Sequence, residues 1–157
     1  VGLLLELFHE LARYERLEQE VRATEERLRE GLFGARPAAE ALIAERDGEG
    51  IGYALFFTTF STFLALPGIW LEDLFVRPPH RKTGVGRALL ASVAARVCER
   101  GGGRLEWSAL DWNELALGFY RGLGAQTMSE WITHRLTGEE LRRLAAEAPD
   151  GPGATAR

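Results

Sequence analysis

The sequence predicts an α+β fold: one domain built on a central mixed β-sheet flanked by helices. Three observations predict it. Two helix-like segments precede any strand-like run. Apolar, β-favouring runs then flank Asp47-Gly48-Glu49-Gly50, which is turn chemistry and reads as an antiparallel hairpin. Finally, a strand-like run over residues 69–76, a helix opening at Gly84-Val85-Gly86 and a second strand-like run over 104–110 form a strand–helix–strand unit. Such a unit makes a right-handed parallel crossover, so the sheet carries both pairings.

Taken in order, Leu4, Leu7, Phe8, Leu11 and Tyr14 recur at helical spacing and predict a first helix to about residue 17. Thr24 is an N-cap for a second, short helix, with Glu25 and Glu26 in its first turn and Gly34 and Pro37 ending it. Residues 41–44 and 51–60 are the hairpin strands. Pro67 and Gly68 place a loop before the third strand, and Pro78-Pro79 closes that strand. The next helix turns Leu89, Leu90, Val93, Ala94 and Val97 inward and stops at Gly101-Gly102-Gly103. After the strand at 104–110, Asn113 caps a helix carrying Ala116, Phe119, Tyr120 and Leu123. A last strand is expected within 126–136, and Thr137 caps a final helix. The expected boundaries are one domain over residues 1–147 and a disordered tail over 148–157.

The chain has 157 residues, 46% hydrophobic and 27% charged, with a net charge of −4. That charge offers no electrostatic reason to bind nucleic acid or an anionic membrane. Cys98 is the single cysteine, so no internal disulfide forms. His9, His80 and His134 lack zinc-ligand spacing, and no apolar run approaches a membrane span. A cytoplasmic protein without a metal is expected.

The most informative stretch is Arg81-Lys82-Thr83-Gly84-Val85-Gly86-Arg87, between a buried strand and an amphipathic helix. Glycines let backbone N–H groups approach a ligand, and the first amides of a helix are unpaired and carry its positive dipole end. Together they suit a diphosphate. By chance, a basic residue followed at this spacing by Gly-x-Gly arises in about one chain in four of this composition, so the position between strand and helix is what carries the signal. A tight turn needing only positive φ is the alternative.

These residues resemble the signature loop of the GNAT superfamily (the GCN5-related N-acetyltransferases), in the pattern Arg81-x-x-Gly84-x-Gly86. The resemblance is closest to the diamine (spermidine/spermine) acetyltransferases. It rests on Leu11-Ala12-Arg13-Tyr14-Glu15, Leu71-Glu72-Asp73-Leu74-Phe75-Val76, Asp111-Trp112-Asn113-Glu114 and Phe119-Tyr120-Arg121-Gly122-Leu123-Gly124-Ala125, in that order. It implies a single GNAT-like domain, acetyl-CoA as co-substrate and a homodimer. Two departures stand out. The family's first strand precedes the first helix and is missing from this chain, and the loop Ser61-Thr62-Phe63-Leu64-Ala65-Leu66-Pro67 lacks the acidic residue and Trp of polyamine enzymes.

Acetyl transfer to an amine requires a base for the ammonium proton, a polarised thioester carbonyl and an acid for the departing thiolate. Glu72, a carboxylate in an apolar strand, is the candidate base, because desolvation would raise its pKa toward the useful range. The resemblance gives this position the same role. Strand alternation sends Glu72 and Asp73 to opposite faces, which leaves open a solvent-facing or Arg-paired Glu72, with Asp73 as second candidate. Tyr120 is the candidate acid: a phenol is protonated at neutral pH and can donate to sulfur. Packing beside Phe119 is its alternative.

The resemblance further implies that the backbone of Leu74, Phe75 and Val76 polarises the carbonyl and hydrogen-bonds the pantetheine arm. It places Tyr14 and Glu15 at the acceptor amine. Asn113 caps its helix, contacts the cofactor, or both. Glu106, Trp107 and Ser108 border the cleft, with Glu130 nearby. No Ser or Cys nucleophile is evident, and Cys98 reads as helix packing, so direct attack in a ternary complex is expected. The acceptor is a diamine, a polyamine or an amino-acid-like amine; a protein N-acetyltransferase and a non-catalytic acyl-CoA module are the alternatives.

Overall fold

Helix α1 (Gly2–Glu15) forms where the apolar spacing requires it, and Leu4 and Leu7 on its inner face are 2% and 0% exposed. It ends at Arg16, whose φ of 63° turns the chain out of the helix. A short 3₁₀ turn (Glu18–Glu20) leads to α2 (Glu25–Phe33), where Thr24 Oγ1 accepts the backbone N–H of Arg27 at 3.2 Å, the cap expected. The computed structural model describes residues 1–149, so the expected tail lies, from residue 150 on, outside the described residues. No strand precedes α1 among the described residues. The chain divides into two compact units, Val1–Leu110 and a second opening at Asp111.

The first unit is built on a four-stranded sheet in the order β1-β2-β3-β4, with β1 (Glu40–Arg46), β2 (Glu49–Ser61), β3 (Leu66–Val76) and β4 (Arg104–Trp107). The first three strands pair antiparallel. β4 runs parallel to β3 after a crossover through α3 (Val85–Glu99). The fold is therefore α+β with a mixed sheet, as expected. Asp47 and Gly48, both at positive φ (53° and 79°), form the tight β1–β2 turn.

Tyr53 and Phe56 on β2 point to opposite faces, since they are three positions apart. Tyr53 packs with Leu4, Leu7 and Phe75 beneath α1, and the Phe56 ring lies 5.8 Å below the guanidinium of Arg96 on α3. Helices thus cover both faces of the sheet. Arg77, directly after β3, is 14% exposed and pairs with Glu6 and Glu10 of α1 and with Glu49 of β2, at 2.7 Å for Glu10 and 2.9 Å for Glu49. This network holds α1, and so its last turn with Tyr14 and Glu15, against the sheet. Leu7→Ala should lower unfolding free energy by about 2–5 kcal/mol, measured by denaturant titration, because the side chain is wholly enclosed.

Several boundaries differ from expectation. Pro67 and Gly68 lie inside β3 rather than in a loop. Pro67 pairs with Phe60 and its carbonyl accepts Gly103 N–H at 2.9 Å, while the β4 ladder begins only at Gly68, so the missing proline N–H removes no bond to β4. The strand expected to residue 110 stops at Trp107. Cys98 is exposed: Val93 and Val97 take the inward positions of α3, and the next residue turns to solvent.

In the second unit, Asn113 Oδ1 accepts Ala116 N–H at 3.2 Å and caps α4 (Glu114–Gly122), and α5 (Gly138–Ala145) follows Thr137, whose side chain makes no cap bond. The strand expected within 126–136 does not form among the described residues. Its sequence has strand character, but a strand exists only where a neighbour takes up its backbone groups.

Candidate active site

The glycine loop has the geometry of an anion cradle. After β3 a short 3₁₀ turn (Pro78–His80) leads to Arg81, and Thr83 Oγ1 donates to His80 O at 2.7 Å. Lys82 and Gly84 both hold positive φ, at 61° and 91°. The first intrahelical bond of α3 runs from Ala88 N–H to Gly84 O at 2.9 Å, so the helix gives no partner to the amides of Val85, Gly86 and Arg87. Gly84 is the N-cap with no side chain to fill that role, and a Cβ added there would meet nothing within 4 Å. Open space, amides without a partner inside the helix and a helix dipole suit a diphosphate.

Beside the loop, β3 outruns its neighbour. The β3–β4 ladder covers only Gly68↔Arg104 to Leu71↔Trp107, so residues 72–76 have no β4 partner on that edge. Leu74, Phe75 and Val76 therefore lie beyond the β4 ladder on that edge. Arg81 ties loop to strand: its Nε donates to Val76 O at 2.9 Å, and its guanidinium lies 4.4 Å from the Tyr14 ring and 5.7 Å from the Phe75 ring.

The carboxylates sit at a β-bulge. Leu55 pairs with Asp73 and Phe56 with Leu71, leaving Glu72 with no residue opposite. A bulge breaks the alternation that would otherwise send Glu72 and Asp73 to opposite faces. Both instead line one cavity of about 460 Å³, together with Glu15, Tyr53, Phe8 and Leu11.

Within it the two carboxylates have different environments. Glu72 is exposed and accepts Trp70 Nε1–H at 2.9 Å, so the desolvation expected of it falls on its neighbour. Burial raises the Asp73 carboxyl from 3.8 to about 6; the hydrogen bond from Tyr53 opposes this, and the charges of Glu72 and Glu15 add to it. Glu15 is also raised by burial. The Tyr53 hydroxyl, on a residue 0% exposed, donates to Asp73 Oδ2 at 3.1 Å. Its own ionisation is pushed far up, chiefly by burial, so it remains a donor.

The structure thus brings together Glu15, Glu72 and Asp73 in one cavity, and Leu74, Phe75, Val76 and Arg81 through Arg87 along one strand edge and helix start. Tyr14 packs under Arg81 rather than on the cavity wall. Glu106 and Trp107 lie on β4, with Glu106 opposite Trp70 and 2.6 Å from Arg104, and Ser108 follows the strand end. In the second unit Tyr120 and Phe119 lie on α4 with ring centroids 5.2 Å apart, and Glu130 is exposed. Sequence reasoning missed Tyr53. The available signal was a tyrosine inside a buried strand, whose hydroxyl needs a partner. The bulge itself has no local signal.

Comparison with known proteins agrees with this geometry. A thialysine N-epsilon-acetyltransferase from Bos taurus is 37% identical over 93% of this chain and 92% of its own length. An L-ornithine N5-acetyltransferase from Arabidopsis thaliana is 44% identical over 59% of this chain and 41% of its own. An integron cassette protein from the mobile metagenome of V. cholerae superposes with a TM-score of 0.76 at 27% identity, covering 91% of this chain and 90% of that one. The profile of the acetyltransferase (GNAT) family matches residues 4–125, which takes in α1, the bulged strand, the glycine loop and α4. A chain with that span of agreement belongs to the GNAT family of acetyltransferases.

Proposed function

We propose that this enzyme transfers the acetyl group of acetyl-CoA to a primary amine of a small molecule, by direct attack in a ternary complex. The observation that carries the reading is the bulge at Glu72, which turns two adjacent carboxylates into a cavity that Glu15 also lines. A cavity rich in carboxylates suits a cationic amine, and relatives named for thialysine and ornithine support a small acceptor.

Acetyl-CoA supplies the acetyl group already activated as a thioester. The amides of Val85, Gly86 and Arg87, with Gly84 behind them, would hold its diphosphate, and Arg81, Lys82 and Thr83 line the rim. The edge at Leu74, Phe75 and Val76 would pair with the extended arm as an added strand does. Asn113 caps α4 and is assigned a contact to the same co-substrate.

Asp73 accepts the proton of the bound ammonium, since its carboxyl is ionised above about pH 6 yet basic enough to take a proton; exposed Glu72 passes that proton to water. Tyr120 donates a proton to the departing sulfur. Tyr14, Glu106, Trp107, Ser108 and Glu130 are assigned to the acceptor side. A homodimer and a cytoplasmic location complete the reading; no described helix is long and apolar enough to cross a membrane.

The test is thiol release from acetyl-CoA with a panel of diamines, polyamines and diamino acids near pH 8. Turnover of at least one small amine is expected, and no release with any of them would refute the proposal. Gly84→Val should raise KM for acetyl-CoA about tenfold or more at a modest cost in stability, because a Cβ there meets no atom within 4 Å but a β-branched residue cannot hold φ at 91° without strain.

A further inference from the structure

Tyr53 is wholly enclosed in an otherwise apolar cluster. It packs with Leu4, Leu7 and Phe75, and the Phe8 and Phe75 rings lie 5.1 Å and 6.3 Å from its own. A phenylalanine would fill the same space and leave no hydroxyl to desolvate, so the hydroxyl needs a reason. The group it meets is Asp73 Oδ2, at 3.1 Å. Tyr53 belongs to β2 and Asp73 to the bulged part of β3, and both line the cavity that Glu15 and Glu72 share.

The elements packed around Asp73 bring mostly negative charge. Glu72 precedes it on β3 and Glu15 comes from α1; both carboxylates oppose its ionisation, as burial does. The connection between α1 and α2 adds one charge of each sign to the cavity wall, Glu20 and Arg22. The Tyr53 hydroxyl, from β2, works the other way, because a hydrogen bond donated to a carboxylate favours its charged form. It also holds one of the two oxygens in a fixed place. We propose that Tyr53 is a positioning residue for acetyl transfer: its hydroxyl pins Oδ2 of Asp73, leaves Oδ1 to the acceptor ammonium and favours the form of Asp73 that can take a proton. The inference rests on the acetyl-transfer reading above and adds the group that prepares its base.

Tyr53→Phe keeps the ring and removes the hydroxyl. With a small amine that the wild type acetylates, at saturating acetyl-CoA, the acidic limb of kcat/KM should move up by about one pH unit, because a hydrogen bond to a charged group is lost. The deficit should be about fivefold at pH 6, where the wild-type limb has its midpoint, and should shrink toward about pH 8. Asp73→Asn and Asp73→Asn/Tyr53→Phe should be equally active within about twofold, since Tyr53 acts through Asp73. A deficit of equal size at both ends of that range, or a further loss in the double variant, would overturn the role and leave Tyr53 a packing residue. A measurement on the wild type needs neither catalysis nor a folded variant. With tyrosine carrying carbon-13 at Cζ, one of the three tyrosine resonances should shift with a midpoint near that of Asp73, as its acceptor changes from carboxylate to carboxylic acid. Three resonances flat across that midpoint would overturn the proposal. A titrating resonance beside no thiol release with any amine would instead remove the acetyl-transfer reading itself.

Discussion

Asp73→Asn is expected to lower kcat/KM for the acceptor amine about a hundredfold or more, and to remove the acidic limb of its pH profile. In the wild type that limb should have its midpoint near pH 6, where the Asp73 carboxyl ionises. The same substitution should stabilise the fold. Burial raises this carboxyl from 3.8 to about 6, so between those values the folded protein holds a proton that the unfolded chain has released. Stability then falls as pH rises through that window and stays at the lower level above it. Asparagine carries no charge to desolvate and still accepts the Tyr53 hydroxyl. The variant should therefore melt above the wild type at pH 8, with the gap closing toward pH 4. Lower activity together with a lower melting temperature at pH 8 would mean that Asp73 serves packing rather than proton transfer.

Tyr120→Phe is the second large effect. It should reduce kcat at least about tenfold, with KM for acetyl-CoA unchanged, because it removes the phenol proposed to protonate the departing sulfur. The ring is kept, and with it the contact to Phe119 on α4. An unchanged kcat would remove Tyr120 from the chemistry.

What the sequence showed depended on how local each signal is. The glycine-flanked start of α3 was legible because it is a local arrangement: Gly84, Val85 and Gly86 lie where their spacing predicts. The apolar stripe of α1 and the Asp47-Gly48 turn were legible for the same reason. The bulge was not, because it is a property of pairing. Nothing in Leu71-Glu72-Asp73 says that Leu55 will skip a residue, and alternation then assigned the two carboxylates to opposite faces.

That error carried desolvation to Glu72 instead of Asp73. Tyr53 was hidden likewise, since its partner lies 20 residues away. The segment 126–136 has strand composition, but whether it pairs depends on an edge elsewhere. Pro67 misled in the other direction: a proline suggests a loop unless its neighbours show that its N–H is not needed.

Under the proposed reading, the start of α3 grips the diphosphate of coenzyme A. Calorimetric titration of coenzyme A into the folded protein tests it most directly. Saturable heat from one site per chain is expected, weakened about tenfold or more in Gly84→Val, with the variant's folded state checked by circular dichroism. Absence of heat in the wild type, or equal affinity in the variant, would contradict it.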